Sequence, residues 1–594
     1  MEAGRLGGGA KVLAPNRTKW DKNIIQAEAI GRSAVQLNST GDSVAITNIK
    51  AANSVVLRYS IPDSALGGGV DGGLNATLGL YINGTRVKSL ALTSKYSWSY
   101  KGGLIGDPIV DTPAEQPHTF FDEVAVLTDP IPVGAEVRIQ RDSQDTAAFY
   151  VVDLVDLEQV PPPLAMPAGF TDVTTLGIIP NSGIDYADKI SGIMNDGAKL
   201  WFPPGEYLAQ KLTSGNAGMD NKGAEIRGAG MWYTTIKGSK SIFFCIGPVK
   251  CVFGDFSIRG ESKARAEESQ GVQKAFAGPM GVGSVIENMW IEHVVGAIWV
   301  GNDPPYQTQP TDGLTIRNVR IRNTYADGVN LDNGTSNSVV ENSHFRNTGD
   351  DAAVVWSIQW THWVRDKTVN AGPNFIKPEA KNAPDQGIGH GNVFRNLTVQ
   401  MPWRANCFAA YGGYDNLFEN LKCEDVLTYP GILIDNEFSS YPFGPGLTTF
   451  RNIDLIRAGG PMFFENGNVW KHGALKFYLR EGDVNDILVE NVNIIDPTYS
   501  GIEFRGFGTA YVPPGEKFSP EVLAGADAAT FKNVTLRNIN IVNAGTYGIE
   551  VLDGGGRGQV NFEGVKVSGS AIAPLNAGGA ANSFFNKTTG NTGW

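Results

Sequence analysis

The sequence predicts an all-β chain: an N-terminal β-sandwich of jelly-roll type, then a right-handed parallel β-helix. Three observations carry this. Glycine supplies 73 of the 594 residues and only 19% are charged, a balance that favours strands and turns over surface helices. Short runs of alternating polarity fill the first quarter. A unit of the form Asn-x-x-apolar then recurs along the rest, at spacings that return to 24 residues between Asn318 and Asn342 and between Asn396 and Asn420.

Residues 1–20 are Gly-rich, lack the basic-then-apolar pattern of a signal peptide, and read as a flexible segment. Residues 21–160 carry the alternating runs Ser43–Ile46, Ser54–Tyr59, Thr77–Ile82 and Glu136–Ile139. Asn83-Gly84 follows one run directly, the dipeptide that a tight hairpin selects. Residues 161–169, with Pro161, Pro162, Pro163 and Pro167, read as a stiff linker. Residues 170–594 are assigned to the β-helix. Its repeat runs through Asn288, Asn318, Asn342, Asn396, Asn420, Asn452, Asn491 and Asn538, each followed by period-2 apolar residues. One such unit fits one coil, and stacked asparagines can bond from coil to coil.

Composition narrows the function. The formal net charge is −12, which argues against nucleic acid and anionic membranes as partners and weighs against a polyanionic substrate unless a local basic cleft overrides it. No stretch of 18 apolar residues is present to cross a membrane. Six histidines without ligand spacing argue against a zinc or iron enzyme. The four cysteines, Cys245, Cys251, Cys407 and Cys423, are too few for a disulfide framework. Cys245 and Cys251 are close enough in sequence to bridge a hairpin, but buried thiols are the favoured reading.

The repeat locates the chemistry. Nine residues after each Asn stands a column: Ala297, Asp327, Asp351, Ala405, Tyr429, Pro461, Ser500, Tyr547. Arg322–Asp327 aligns without a gap on Arg346–Asp351, so Asp327 and Asp351 should stack about 4.8 Å apart with Asp350 beside them. Carboxylates that close push their proton affinities apart, which suits hydrolysis of a glycosidic bond. Turn residues or calcium ligands are the bland alternatives, and a column otherwise filled by Ala, Pro, Ser and Tyr favours catalysis. Candidate sugar platforms are Trp356, Trp360, Trp363, Trp403, Tyr411 and Tyr429, and Asn330 can bond a hydroxyl.

Several segments resemble known families. Ile25–Ala29 and Phe149–Glu158 resemble the end strands of jelly-roll carbohydrate-binding modules, which implies a structural calcium on Glu28 and Asp153. Trp201–Tyr207 and Ala224–Gly230 resemble the entry turns of pectin-lyase-type β-helices. Ala326–Gly334, Phe345–Ser357 and the stretch from Asn392 through Tyr411 to Ile432 resemble the catalytic segment of glycoside hydrolase family 87, the α-1,3-glucanases and mycodextranases. That resemblance places the catalytic aspartates on Asp327, Asp350 and Asp351. It implies inverting endo-hydrolysis of an α-1,3-glucan; no catalytic cofactor is expected, a polymer substrate that cannot cross a membrane makes a secreted enzyme the expectation, and the chain is read as a monomer. A polygalacturonase-like scheme makes Asp350 the acid, with Asp327 and Asp351 holding the attacking water. Competing readings are a mycodextranase, a polyuronate enzyme using Arg322, Arg346 or Arg404, and a non-catalytic polysaccharide-binding β-helix. Gly387–Gly391 resembles the Gly-His-Gly turn of polygalacturonases.

Overall fold

A computed structural model describes all residues except 2, 15–23, 65–71, 101–117, 211–222, 239–242, 246, 264–273, 302–310, 359–387, 438–442, 464–468, 481, 510 and 513–519. Trp360 and Trp363 lie outside the described residues. The chain forms two compact units, the first holding Met1–Leu164 and the second Ala165–Glu261 with Val272–Trp594.

The first unit is a sandwich of two five-stranded antiparallel sheets. Alternation sends Val44, Leu78, Leu80, Val137 and Ile139 of one sheet and Val35, Leu57 and Val152 of the other into a shared core. Ile82 and Thr85 pair across Asn83-Gly84, both at positive φ, as the hairpin signal requires. Two expectations are corrected. Arg5–Gly7 and Lys11–Leu13, inside the segment read as flexible, are strands paired to Ser43–Thr47 and Ala34–Leu37. Ile25–Glu28 is a 3₁₀ turn, not a strand.

The calcium reading of Glu28 and Asp153 does not fit either. Arg58, fully buried, forms an ion pair with Asp153, donates to the Glu28 carbonyl at 3.0 Å and stacks on Phe121. The other Asp153 oxygen accepts from Ile30 N, and Glu28 Oε2 accepts from Phe120 N. A guanidinium already supplies the positive charge that a calcium ion would bring.

The second unit winds as a β-helix with an 18-stranded and an 11-stranded parallel sheet. All eight repeat asparagines take φ between 50° and 57°, the left-handed conformation that Asn tolerates and that bends each strand of the longer sheet. Their amides bond from coil to coil, as in Asn396 to Asn342 at 3.0 Å and Asn452 to Asn420 at 3.1 Å. Inside, Phe394, Phe418 and Phe450 stack at 4.5 and 4.4 Å. Two nine-residue helices, Ala187–Asn195 and Pro520–Ala528, had no sequence signal in the repeat reading. The cysteines, expected as thiols, are paired: Cys245 with Cys251, and Cys407 with Cys423.

Candidate active site

The site stands on the outer face of the 11-stranded sheet. Successive strands there are Gly296–Val300, Val329–Asp332, Ala353–Trp356, Phe408–Tyr411, Ile432–Asp435, Leu475–Leu479 and Ile502–Gly506. Ile298, Val329, Ala353, Phe408 and Ile432 are register partners that fill the core. Alternation therefore turns Trp299, Asn330, Val354, Ala409, Leu433 and Lys476 outward in one row. Asp332, Trp356, Tyr411, Asp435, Tyr478 and Arg505 form a second outward row.

Asp327 and Asp351 each lie two residues before their strand, and Val329 pairs with Ala353, so the predicted stacking of the two aspartates holds. Asp350 joins them, and one oxygen from each of the three lies within 4.8 Å of the others. This is the one acidic cluster among the described residues with the spacing to hold a cation. Its surroundings already supply positive charge and donors. Arg404 Nη1 donates to Asp350 Oδ2 at 2.9 Å. Asn406 donates to Asp351 Oδ1 through its backbone N at 3.1 Å and its side chain at 2.6 Å, and Tyr411 OH donates to Asp351 Oδ2 at 3.0 Å. Asn330 Nδ2 donates to Asp327 Oδ2 at 3.3 Å.

Burial and the adjacent Asp350 charge push Asp351 up to about 7, against the pull of Asn406 and Tyr411 in the other direction. Adjacent carboxyls titrate as one system, so slightly below neutral pH the pair carries one proton. The two members differ in access. Asp351 is 5% exposed and gripped by three donors, while the Asp350 side chain is 19% exposed.

The aromatic candidates separate. Trp356 is half-buried in the outward row, with its ring edge-on to Trp299 at 6.3 Å. Trp403, expected as a platform, is 1% exposed, and its indole N–H is spent on the Thr324 carbonyl. Tyr411 is no platform either; it lies buried as a hydrogen-bond donor to Asp351. Tyr429 leaves the aspartate column by one residue. Ala353 pairs with Phe408, so Asp351 is followed by Asn406 instead of the expected Ala405, and then by Pro430. The Tyr429 ring instead stacks on His472 at 5.3 Å. His390 of the Gly-His-Gly turn stacks on Tyr414 beyond the far end of these strands, away from the aspartates.

Repeat reasoning missed Asn406 and left Arg404 only as a uronate-binding candidate. Arg322 and Arg346 are buried and committed to His344 and Gln400, and Arg404 to Asp350. None of the three arginines is set aside for a polyuronate.

Outward carboxylates on a β-helix, one pair sharing a proton beside a half-buried tryptophan, are the parts of a polysaccharide-cleaving site, and the chain is a glycoside hydrolase. Family comparison makes the assignment specific. The model of α-1,3-glucanase catalytic domain D1 matches residues 1–160 and that of domain D2 matches residues 184–594. The chain belongs to this family, glycoside hydrolase family 87. A search among curated protein sequences finds no match. Among solved structures, the Agl-KA catalytic domain is 27% identical, covering all of this chain and 96% of that one, with a TM-score of 0.79. A family 87 α-1,3-glucanase catalytic domain in complex with nigerose is 26% identical, covering 100% and 97%, with a TM-score of 0.77. The catalytic unit of a thermostable family 87 α-1,3-glucanase from Streptomyces thermodiastaticus strain HF3-3 is 27% identical, covering 100% and 95%, with a TM-score of 0.74.

Proposed function

We propose that the chain hydrolyses internal α-1,3-glucosidic bonds of α-1,3-glucan with inversion, using Asp327, Asp350 and Asp351. The observation that carries this is the three-carboxylate cluster on two neighbouring coils. Two further facts support it. Related catalytic domains have been solved with nigerose and with tetrasaccharides. Four of those structures carry single aspartate-to-alanine changes, at two adjacent positions and one 23 residues before the first of them, the spacing of Asp350, Asp351 and Asp327.

In this reading Asp350 protonates the leaving oxygen. Asp351, held by Asn406 and Tyr411, takes the proton of the attacking water, and Asp327, held by Asn330, orients that water. Protonation and attack occur together. The C1–O bond breaks, its electron pair goes to the leaving oxygen with the Asp350 proton, and water oxygen bonds C1. Trp356 is the proposed platform for a sugar ring. A polymer of this kind cannot enter a cell, so the enzyme is proposed to act outside it, where the two disulfides persist.

The test is reducing-sugar release from insoluble α-1,3-glucan, nigeran, dextran and polygalacturonate, with NMR of the first products. Inversion at an α-linkage gives the β-anomer first. Two-carboxylate inverting sites space their carboxyls about 6.5–9.5 Å apart. The closer cluster here makes the anomer a real test, because the α-anomer first would mean retention. Asp350→Ala should lower turnover at least a thousandfold with the fold intact. Activity on nigeran alone would move the assignment to mycodextranase. Binding without cleavage of any glucan would leave a non-catalytic β-helix.

A further inference from the structure

One coil beyond Tyr411 in the same outward row stands Asp435, its register partner across Phe408–Tyr411 and Ile432–Asp435. Same-face neighbours on adjacent parallel strands are about 4.8 Å apart at the backbone. Asp435 is fully buried, and neither carboxylate oxygen has a partner of good hydrogen-bond geometry among the described residues. The Asn436 amide acts on it as a donor in the same sense as the nearby cations, without reaching bonding geometry. A buried carboxyl left this way requires a reason, because desolvation is costly.

Its surroundings supply one. On one side lies Tyr411, whose hydroxyl is donated to Asp351. On the other lies Leu475–Leu479, which brings Tyr478 as register partner and Lys476, with Arg480 following. Arg480 is paired to Glu437. Lys476 Nζ contacts His472 Nδ1 at 3.2 Å, backed by Glu503 and Arg505. Tyr411 thus stands between two buried carboxyls, bonded to one and neighbouring the other, and both hold its phenol proton in place. Asp351 in turn faces Asp350 and Asp327.

We propose that Asp435 is a positioning residue for hydrolysis, acting through the Tyr411 hydroxyl to set how Asp351 shares its proton with Asp350. Burial first, and the Asp435 carboxylate once it ionises, keep the phenol proton on Tyr411 and so keep Tyr411 a donor to Asp351. Lys476 and Arg480 keep that charge tolerable in the interior. The inference rests on the proposed role of Asp351, so the experiment reads both.

Wild type, Asp435→Asn, Tyr411→Phe, the double variant and Asp351→Ala are compared for kcat, KM and full pH–rate profiles on soluble α-1,3-gluco-oligosaccharides. Circular dichroism and thermal melts confirm folding. Burial pushes Asp435 up to about 7, so it ionises over the same range as the Asp350–Asp351 pair, and Asp435→Asn removes the charge that then disfavours the pair's last ionisation. Its alkaline limb should move down by about half a unit to one unit, as expected for one charge at this separation in a partly shielded interior. kcat should fall several-fold with KM unchanged, and in the Tyr411→Phe background the shift should shrink to the direct effect of the charge alone. An unmoved limb in Asp435→Asn, or a shift just as large without the tyrosine hydroxyl, overturns the proposal. Retained activity in Asp351→Ala would instead remove the functional reading on which it stands.

Discussion

Replacing Tyr411 by Phe takes away one oxygen and little else. The ring is buried and keeps its packing against Val354, Ala409 and Leu433. What is lost is the 3.0 Å bond to Asp351 Oδ2. A buried hydrogen bond to a charged group contributes about 1.5–3 kcal/mol, or roughly one to two pKa units at 1.36 kcal/mol each. Asp351 is already held up to about 7 by burial and Asp350, and the tyrosine is among the groups pulling it down. Without the hydroxyl, the proton affinity of the pair rises. Activity that needs one proton on the pair is lost when that last proton leaves, so the alkaline limb should move up by roughly one to two units. The proton also settles more firmly on Asp351, which depletes the arrangement with Asp350 protonated, and kcat at the optimum should fall about 10- to 100-fold. The assay is kcat and kcat/KM from pH 4 to 10 on gluco-oligosaccharides, with melting curves as a folding control. A fall in kcat with the alkaline limb unmoved would falsify the argument, since it would separate Tyr411 from the ionisation of Asp351.

The tryptophans should divide by burial. Trp356→Ala should raise KM roughly tenfold with little change in melting temperature, and Trp403→Ala should cost about 3–5 kcal/mol of stability, both readable by kinetics and denaturation. Asp435→Asn should also alter the pH dependence of stability. Burial raises Asp435 to about 7, so the native state holds its proton more tightly than the unfolded chain and loses stability as pH climbs from about 4 to 7. The variant should therefore melt higher than wild type at pH 8, by up to a few kcal/mol, and match it at pH 4. Phe418→Ala, which opens the centre of the Phe394–Phe418–Phe450 stack, should cost about 3–5 kcal/mol in urea unfolding.

The aspartates were legible because Arg322–Asp327 and Arg346–Asp351 belong to two coils of equal length with no insertion between repeat and site. Register then follows from counting, and a parallel sheet turns equal counts into neighbouring side chains. Legibility failed one coil later. Val339 pairs with Val393 in the longer sheet at an offset of 54, but Ala353 pairs with Phe408 at 55. That one extra residue in the turn moves Asn406 beneath Asp351 and takes Ala405 and Tyr429 out of the column. Counting from the apolar partners Ala353, Phe408 and Ile432 would have found Asn406. Nothing in the repeat marks Trp403 as buried, because turn residues obey no alternation.

The same geometry explains how the fold turns identical residues into unlike groups. A parallel sheet fixes the separation of stacked carboxyls, so Asp327 and Asp351 cannot relax apart, and the repulsion must be absorbed by a proton or by donors. Neighbouring positions decide which. Asn406 and Tyr411, from the coil after Asp351, reach back and point three donors at it. Asn330, from the strand that Asp327 itself precedes, offers a single side-chain donor. Asp350 lies at the turn, where alternation no longer applies, and is met by Arg404 at a more exposed position. Three aspartates of equal intrinsic acidity thus meet different partners: Asn406 and Tyr411 at Asp351, Asn330 at Asp327 and Arg404 at Asp350. The acid–base asymmetry of the proposed mechanism therefore comes from coil order and turn length more than from residue type.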